Sequence, residues 1–184
     1  SAREIVTSLS GSHRFVFEYL AEEVFRRQPE SLQTFLLHTS ILSQMDAASC
    51  NAVVEIKNSQ DMLEELERQN LFLTSLDRNR RWYQYHYLFR EFLLSRLMRE
   101  NAGQVKVLER SAGLFYESQN EHEAAFLHYS AAQDHESAAR VAVIFAADYV
   151  ERGRVEVLHR YLNMLPIEIM RAHPELLLQL GNAH

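Results

Sequence analysis

Nine histidines and one cysteine are the residues of this 184-residue chain best suited to chemistry, and their spacing limits what that chemistry is. No two histidines lie at the i, i+3 or i, i+4 spacing that sets a pair of imidazoles on one helical face, so a metal site is not expected. Cys50 stands alone, which excludes cysteine-rich zinc sites and any internal disulfide, and it reads as an inert core thiol. The glycines at 11, 103, 113, 153 and 181 are isolated, so no glycine-rich loop cradles a phosphate. There is also no Walker-type lysine motif, nucleophile elbow or zincin motif. No acid, base and nucleophile can be assembled, and the chain is not expected to catalyse a reaction by itself. His128 falls on an alanine-rich face and reads as a packed, hydrogen-bonded residue. His86 is different. It sits where a strand hands over to a helix, beside backbone N–H groups and the positive end of a helix dipole, a place suited to phosphate. A packed or capping histidine is the competing reading of the same position.

The elements that place His86 follow from periodicity and breakers. Five glycines and three prolines leave long uninterrupted segments, so helix dominates. A first helix is predicted over 12–27, with Phe15, Tyr19, Leu20 and Val24 on one stripe. Pro29 suits the opening of a second helix carrying Leu32, Phe35, Leu36 and Thr39. Asp46 reads as the N-cap of a third helix bearing Ala47, Cys50, Val53 and Val54. Ser59 reads as the cap of a fourth with Leu63 and Leu66. The pattern then changes. Leu71–Leu76 and Trp82–Tyr85 have strand composition, and the polar Asp77–Arg81 between them makes a hairpin turn. Helical spacing returns with His86, Phe89, Leu93 and Leu97. Three short helices, a two-stranded wing and a closing helix describe a winged-helix domain, placed at 29–100, with 1–28 as a linker helix.

From Gln104 onward no strand signal appears. Leu108, Ala112, Phe115 and Tyr116 form one face, and Ala124, Ala125, His128, Ala131 and Ala132 the next. Ala138, Val141, Ala142, Phe145 and Tyr149 form a third, and Leu158, Tyr161, Leu162 and Leu165 a fourth. Setting Tyr116 against Tyr149 gives an offset of 33, close to the tetratricopeptide repeat length. The expected fold is therefore mostly α, a winged helix followed over 101–184 by TPR-like antiparallel helical hairpins. The apolar run Leu176-Leu177-Leu178-Gln179-Leu180 has no polar cap after it, and the arm is expected to continue in the native protein.

Charge narrows the partners. The formal net charge is −6, and no apolar run approaches a membrane span, so neither nucleic acid nor membrane is an expected partner. With one cysteine and no signal-peptide pattern, the expected compartment is the cytoplasm. The winged helix invites a DNA-reading role, but its recognition helix, 59–70, carries Asp61, Glu64, Glu65 and Glu67 against Arg68. Those carboxylates would repel phosphates. The arginines at 78, 80 and 81 read as a solvated turn.

These residues, in this order, resemble the MalT-like transcription activators, which belong to the signal-transduction ATPases with numerous domains (STAND). The resemblance rests on Gly11-Ser12-His13-Arg14-Phe15 with Tyr19–Val24, on Phe35–Leu42, on Leu63–Leu73 and on Trp82–Phe89. It continues through Glu123-Ala124-Ala125, Ala138-Ala139-Arg140 and Leu165-Pro166. It implies an upstream nucleotide-binding domain, a winged helix, a helical arm, a repeat sensor for a small-molecule inducer, and a terminal DNA-binding domain. ATP and ADP are then cofactors of the whole protein and not of this fragment. Related switches contact the β-phosphate of ADP through the histidine of a Met-His-Asp motif. Tyr85-His86-Tyr87 matches that motif at His86 only, with Tyr87 in place of the aspartate. A plain helical interaction module without nucleotide sensing is the second reading.

Overall fold

The computed structural model describes residues 15–181. The predicted helix start at residue 12 and the stretch Gly11-Ser12-His13-Arg14 lie outside the described residues. The chain divides into two compact units at Gln104/Val105.

In the first unit, helix α1 (15–26) is followed by α2 (Glu30–Thr39), α3 (Ala47–Val54) and α4 (Ser59–Arg68). The hairpin β1 (Leu73–Ser75) and β2 (Tyr83–Tyr85) comes next, and then α5 (Tyr87–Ser118). Pro29 directly precedes α2, which buries Leu32, Phe35, Leu36 and Thr39, the four residues expected from spacing. Asp46 caps α3 through a reciprocal box: its carboxylate accepts from Ser49 N, and its own N–H donates to Ser49 Oγ at 3.0 Å. At α4 the expectation fails by one residue. Asn58 holds the cap position without a side-chain bond, and Ser59 is the first helical residue, its N–H donating to Asn51 Oδ1.

The wing is antiparallel, with Leu73 opposite Tyr85 and Ser75 opposite Tyr83. Asp77 organises the turn by accepting from the N–H groups of Arg81 and Trp82 at 2.8 and 3.0 Å. Met45 adds a third, single-residue rung to Tyr83, exchanging hydrogen bonds of 2.9 and 2.8 Å. One rung has no periodicity, so the sequence gives no sign of it. The core is aromatic: Tyr83, Phe25, Phe35 and Phe89 are fully buried. Helix α1 contributes Phe17, Ala21 and Phe25, whereas the expected stripe of Phe15, Tyr19 and Leu20 is 74, 66 and 50% exposed. Both stripes are apolar at helical spacing. The one with rings opposite it, Phe72 and Phe92, is the one buried.

Helix α5 is broken at Asn101, whose backbone is not helical, and Asn101 Oδ1 caps the continuation by accepting from Gln104 N at 3.1 Å.

The second unit starts in the continuation of α5 and adds α6 (His122–Ala132), α7 (His135–Glu151), α8 (Val155–Leu162), α9 (Ile167–Ala172) and α10 (Pro174–Gly181). The 33-residue offset is visible in the backbone. The stretch 102–118 corresponds to α7, and both helices end in the same left-handed cap, at Asn120 (φ 61°) and Gly153 (φ 68°). Glu121 N returns to Tyr116 O at 2.9 Å, just as Arg154 N returns to Tyr149 O at 2.7 Å. Small residues line the contact between α6 and α7: Ala125, Ala138, Ala139, Ala142 and Ala146 are fully buried. The buried face of α6 is Ala125, Phe126, Tyr129 and Ala132, while Ala131 of the expected face is exposed. Aromatic rings bury more area than methyl groups, so they set the helix rotation.

Carboxylates tie these helices together. Glu117 accepts from the Tyr129 hydroxyl at 2.6 Å and from the Arg140 guanidinium, and Glu123 accepts from the hydroxyls of Tyr149 and Tyr161. The Arg140 hydrogen bond, helped by Tyr129 and opposed by partial burial, holds the Glu117 carboxyl down to about 2. A depressed carboxyl stabilises the fold fully above its ordinary value of 4.5, and that contribution is lost as pH falls toward 2. Glu117→Gln should therefore flatten the acid loss of thermal midpoint in this window. Arg140 is half exposed, so added salt should shrink the difference between variant and parent. Identical slopes for the two proteins would contradict the coupling.

Candidate functional site

The site begins with the wing. Phe72 takes a left-handed backbone (φ 54°), and its carbonyl accepts from His86 N at 2.7 Å, one step beyond the last strand pair. His86 is thus held by the sheet on its N–H side and by the helix on its carbonyl side, where it accepts from the N–H groups of Phe89 and Arg90 at 2.9 and 3.0 Å. It occupies the N-cap position of α5. The N–H groups of the first turn and the helix dipole point to the same end.

The imidazole is exposed, and the adjoining Tyr87 is 68% exposed. One face of the His86 ring lies against Phe17 of α1, with centroids 5.6 Å apart. Among the described residues the ring has no hydrogen-bonding partner. The ring is not buried in the domain's interior; the capping half of the competing reading agrees with the residue's place before α5, although no side-chain cap bond is made among the described residues.

Below it, the register is locked by Tyr85. Its hydroxyl meets Thr39 Oγ1 at 2.7 Å, and Thr39 itself donates to Phe35 O at 2.7 Å, so Tyr85 is the donor of the first bond. Burial pushes the Tyr85 phenol far above its ordinary range, and it stays a neutral donor.

The cations of α5 near this end have other work. Arg90 donates to the carbonyls of Leu42 and Ile41, each at 3.1 Å, which anchors α5 to the loop after α2. Arg96 grips both oxygens of Glu22 at 2.8 Å and lies over the Phe25 ring at 4.5 Å. Partial burial opposes ionisation of Glu22, but the hydrogen bonds from Arg96 and Arg26 outweigh it and hold the carboxyl below its usual range. A cleft of about 290 Å³ between α1 and α5 carries Glu18, Glu22 and Glu91 against Arg99. A phosphate in that cleft would meet like charge, whereas the start of α5 sets partial positive charge beside His86.

Two other positions singled out from sequence resolve as structural. Cys50 is fully buried, and burial followed by the nearby Asp46 charge pushes its thiol up, which makes it unreactive. His128 bonds Glu109 at 2.6 Å and stacks on Tyr116 at 5.2 Å, a packed residue as its face implied. On the recognition helix α4, Arg68 is paired to Glu65, and Glu67 is 3.5 Å from Arg80 of the wing. That leaves Asp61 and Glu64 exposed on its surface. Among the described residues no helix is long and apolar enough to cross a membrane, and no three His, Cys, Asp or Glu side chains are grouped to hold a metal ion.

Comparison with known proteins agrees with this architecture. The family described as the MalT winged helix domain matches residues 21–105, from within α1 to just past the kink in α5. The HTH-type transcriptional regulator MalT of Cronobacter sakazakii (strain ATCC BAA-894) is 31% identical over 178 residues. That alignment covers 97% of this chain and 19% of the relative, so the chain spans about a fifth of the length of the protein it matches. The winged helix with its three-residue strands, the helical hairpins after it and the likeness along nearly the whole chain agree: residues 21–105 match the MalT winged helix, and the chain resembles MalT along nearly its full length.

Proposed function

We propose that this chain is the winged helix and the beginning of the helical arm of a STAND-type, ATP-dependent transcriptional activator, and that His86 senses the nucleotide held by a P-loop domain elsewhere in the intact protein. In the resting protein ADP keeps the winged helix docked through His86. Inducer binding in a sensor domain, relayed along the arm, and exchange of ADP for ATP release it. The protein then self-associates and presents DNA-binding domains. Two states that bind nucleotide and inducer differently are what make this a switch.

The observation that carries the reading is the exposed imidazole, without a hydrogen-bonding partner among the described residues, at the start of α5. A phosphate contact from one side fits there: the ring offers a donor, and the helix terminus offers partial positive charge. A complete nucleotide site does not fit, because Arg90 and Arg96 are already engaged. When bound, ADP supplies the phosphate charge; the chain's own part is to fix the ring through the Phe72 and Phe89 backbone bonds and to shield one face with Phe17.

His86→Ala in the intact protein should speed ADP release by about 10- to 100-fold, the worth of one hydrogen bond to a charged group, and raise basal transcription. An ADP off-rate and basal activity equal to wild type would eliminate the sensing role.

A further inference from the structure

A second concave site lies in the winged-helix unit, built by other residues than those around His86. It is a cavity of about 370 Å³ between α2, the α3–α4 connection and the start of α4. Its two walls differ in chemistry. Ser31, Thr34 and His38 recur at i, i+3 and i+7 on α2, which puts three hydrogen-bonding side chains on one helical face. Opposite them stand Val54, Ile56 and Met62, and the fully buried Phe35 forms the floor. Asn58, at the cap position of α4, adds an amide at the rim.

Three properties point to a ligand. No Asp, Glu, Lys or Arg lines the cavity, although 24% of the chain is charged. Burial lowers the pKa of His38, so at neutral pH the ring is uncharged and can both donate and accept. Ser31, Thr34 and Asn58 are exposed and His38 is half-buried, and none of the four side chains bonds another described residue, so all four are open to a molecule in the cavity. An apolar floor with a few converging polar groups is the usual make-up of a small-molecule site, and the volume falls within the usual range.

We infer that this cavity binds a small uncharged molecule with an aromatic or alicyclic body and a hydrogen-bonding group on one edge, the body against Met62 and Val54 and the polar edge toward Thr34 and His38. Such a ligand would join α2 to α4 and give the winged helix a chemical input of its own. The inference does not depend on the role of His86.

Phenol, toluene and benzoate separate the contributions, titrated into the 184-residue chain carrying ¹³C-methyl methionine, with the Met62 methyl identified by its loss in Met62→Leu. Phenol should shift that signal saturably, with a dissociation constant on the order of a millimolar or tighter, given its few heavy atoms. Toluene should bind about three- to ten-fold more weakly, the worth of one hydrogen bond, and benzoate should not bind. His38→Phe should bring phenol down to the toluene level. Thr34→Tyr, at an exposed helix position that tolerates a larger side chain, should fill the cavity and abolish both. Equal binding of toluene and phenol would make this an apolar groove for a partner's side chain and overturn the proposal. Binding of benzoate, the absence of any saturable shift, or shifts that persist in Thr34→Tyr would overturn it as well.

Discussion

Phe89→Ala should destabilise the first unit by about 3–5 kcal/mol, the usual cost of emptying a buried phenylalanine site. Phe89 is fully buried, and its ring lies 5.0 Å from Phe72, 6.0 Å from Tyr85 and 6.1 Å from Phe92. Those rings come from the wing, its second strand and α5 itself, so collapse into the space would have to move three backbone segments. Domains are stable by only about 5–15 kcal/mol, so the loss is a large fraction of the total. The effect should reach His86, because Phe72 packs on both Phe89 and Phe17, and Phe17 lies against the imidazole. Trp82 is the single tryptophan and sits beside the wing, so its fluorescence in a denaturant titration reports this unit. Phe89→Leu, which keeps most of the volume, should recover more than half of the loss. A loss below about 1 kcal/mol for the alanine variant would show that the cluster is plastic and does not hold the start of α5 in place.

Gly113→Ala should destabilise the second unit by about 1–3 kcal/mol, the reverse of what helix propensity alone expects. Alanine in a helix interior gains about 1 kcal/mol over glycine when nothing is in the way. Here a Cβ would stand 2.7 Å from two ring carbons of Tyr129 and 3.0 Å from a third. The ring has little room to retreat: Tyr129 is fully buried, and its hydroxyl is bonded to Glu117, which in turn holds Arg140. The helix 102–118 and α6 must therefore separate, or that polar link must break. Gly113→Val should cost more, since its β-branch adds bulk at the same contact. The check is thermal unfolding followed by far-UV circular dichroism, with Trp82 fluorescence confirming that the first unit is unaffected. Pairing Gly113→Ala with Tyr129→Leu should return part of the loss, because the clash is removed along with the ring. A Gly113→Ala protein more stable than its parent would mean that the tyrosine relocates freely.

Local signals in the sequence were enough to set the order of elements. Pro29 and Asp46 act on the backbone at their own positions, through a fixed φ and a side-chain cap, so the starts of α2 and α3 are legible without knowing their neighbours. Asp77–Arg81 reads as a turn for the same reason: Asp77 bonds residues four and five further on. The 33-residue offset is legible because equivalent helices end in the same way, with left-handed caps at Asn120 and Gly153 and a return hydrogen bond to the carbonyl of Tyr116 or Tyr149. The position of His86 at a strand-to-helix junction was likewise readable, since strand and helix periods change at that point.

What the sequence left open depended on partners far along the chain. Helix α1 has two apolar stripes, and only the rings of Phe72 and Phe92 decide that Phe17 and Phe25 turn inward while Phe15 and Tyr19 face out. On α6 the alanines suggested one face, but Phe126 and Tyr129 displaced it because aromatic burial outweighs methyl burial. The rung between Met45 and Tyr83, the anchoring of Arg90 on the carbonyls after α2, and the cavity beneath His38 each join residues that no local period relates. Local backbone chemistry thus determined which segments are helix, strand and turn. Long-range packing alone decided which faces they bury and which side chains, His86 among them, remain exposed.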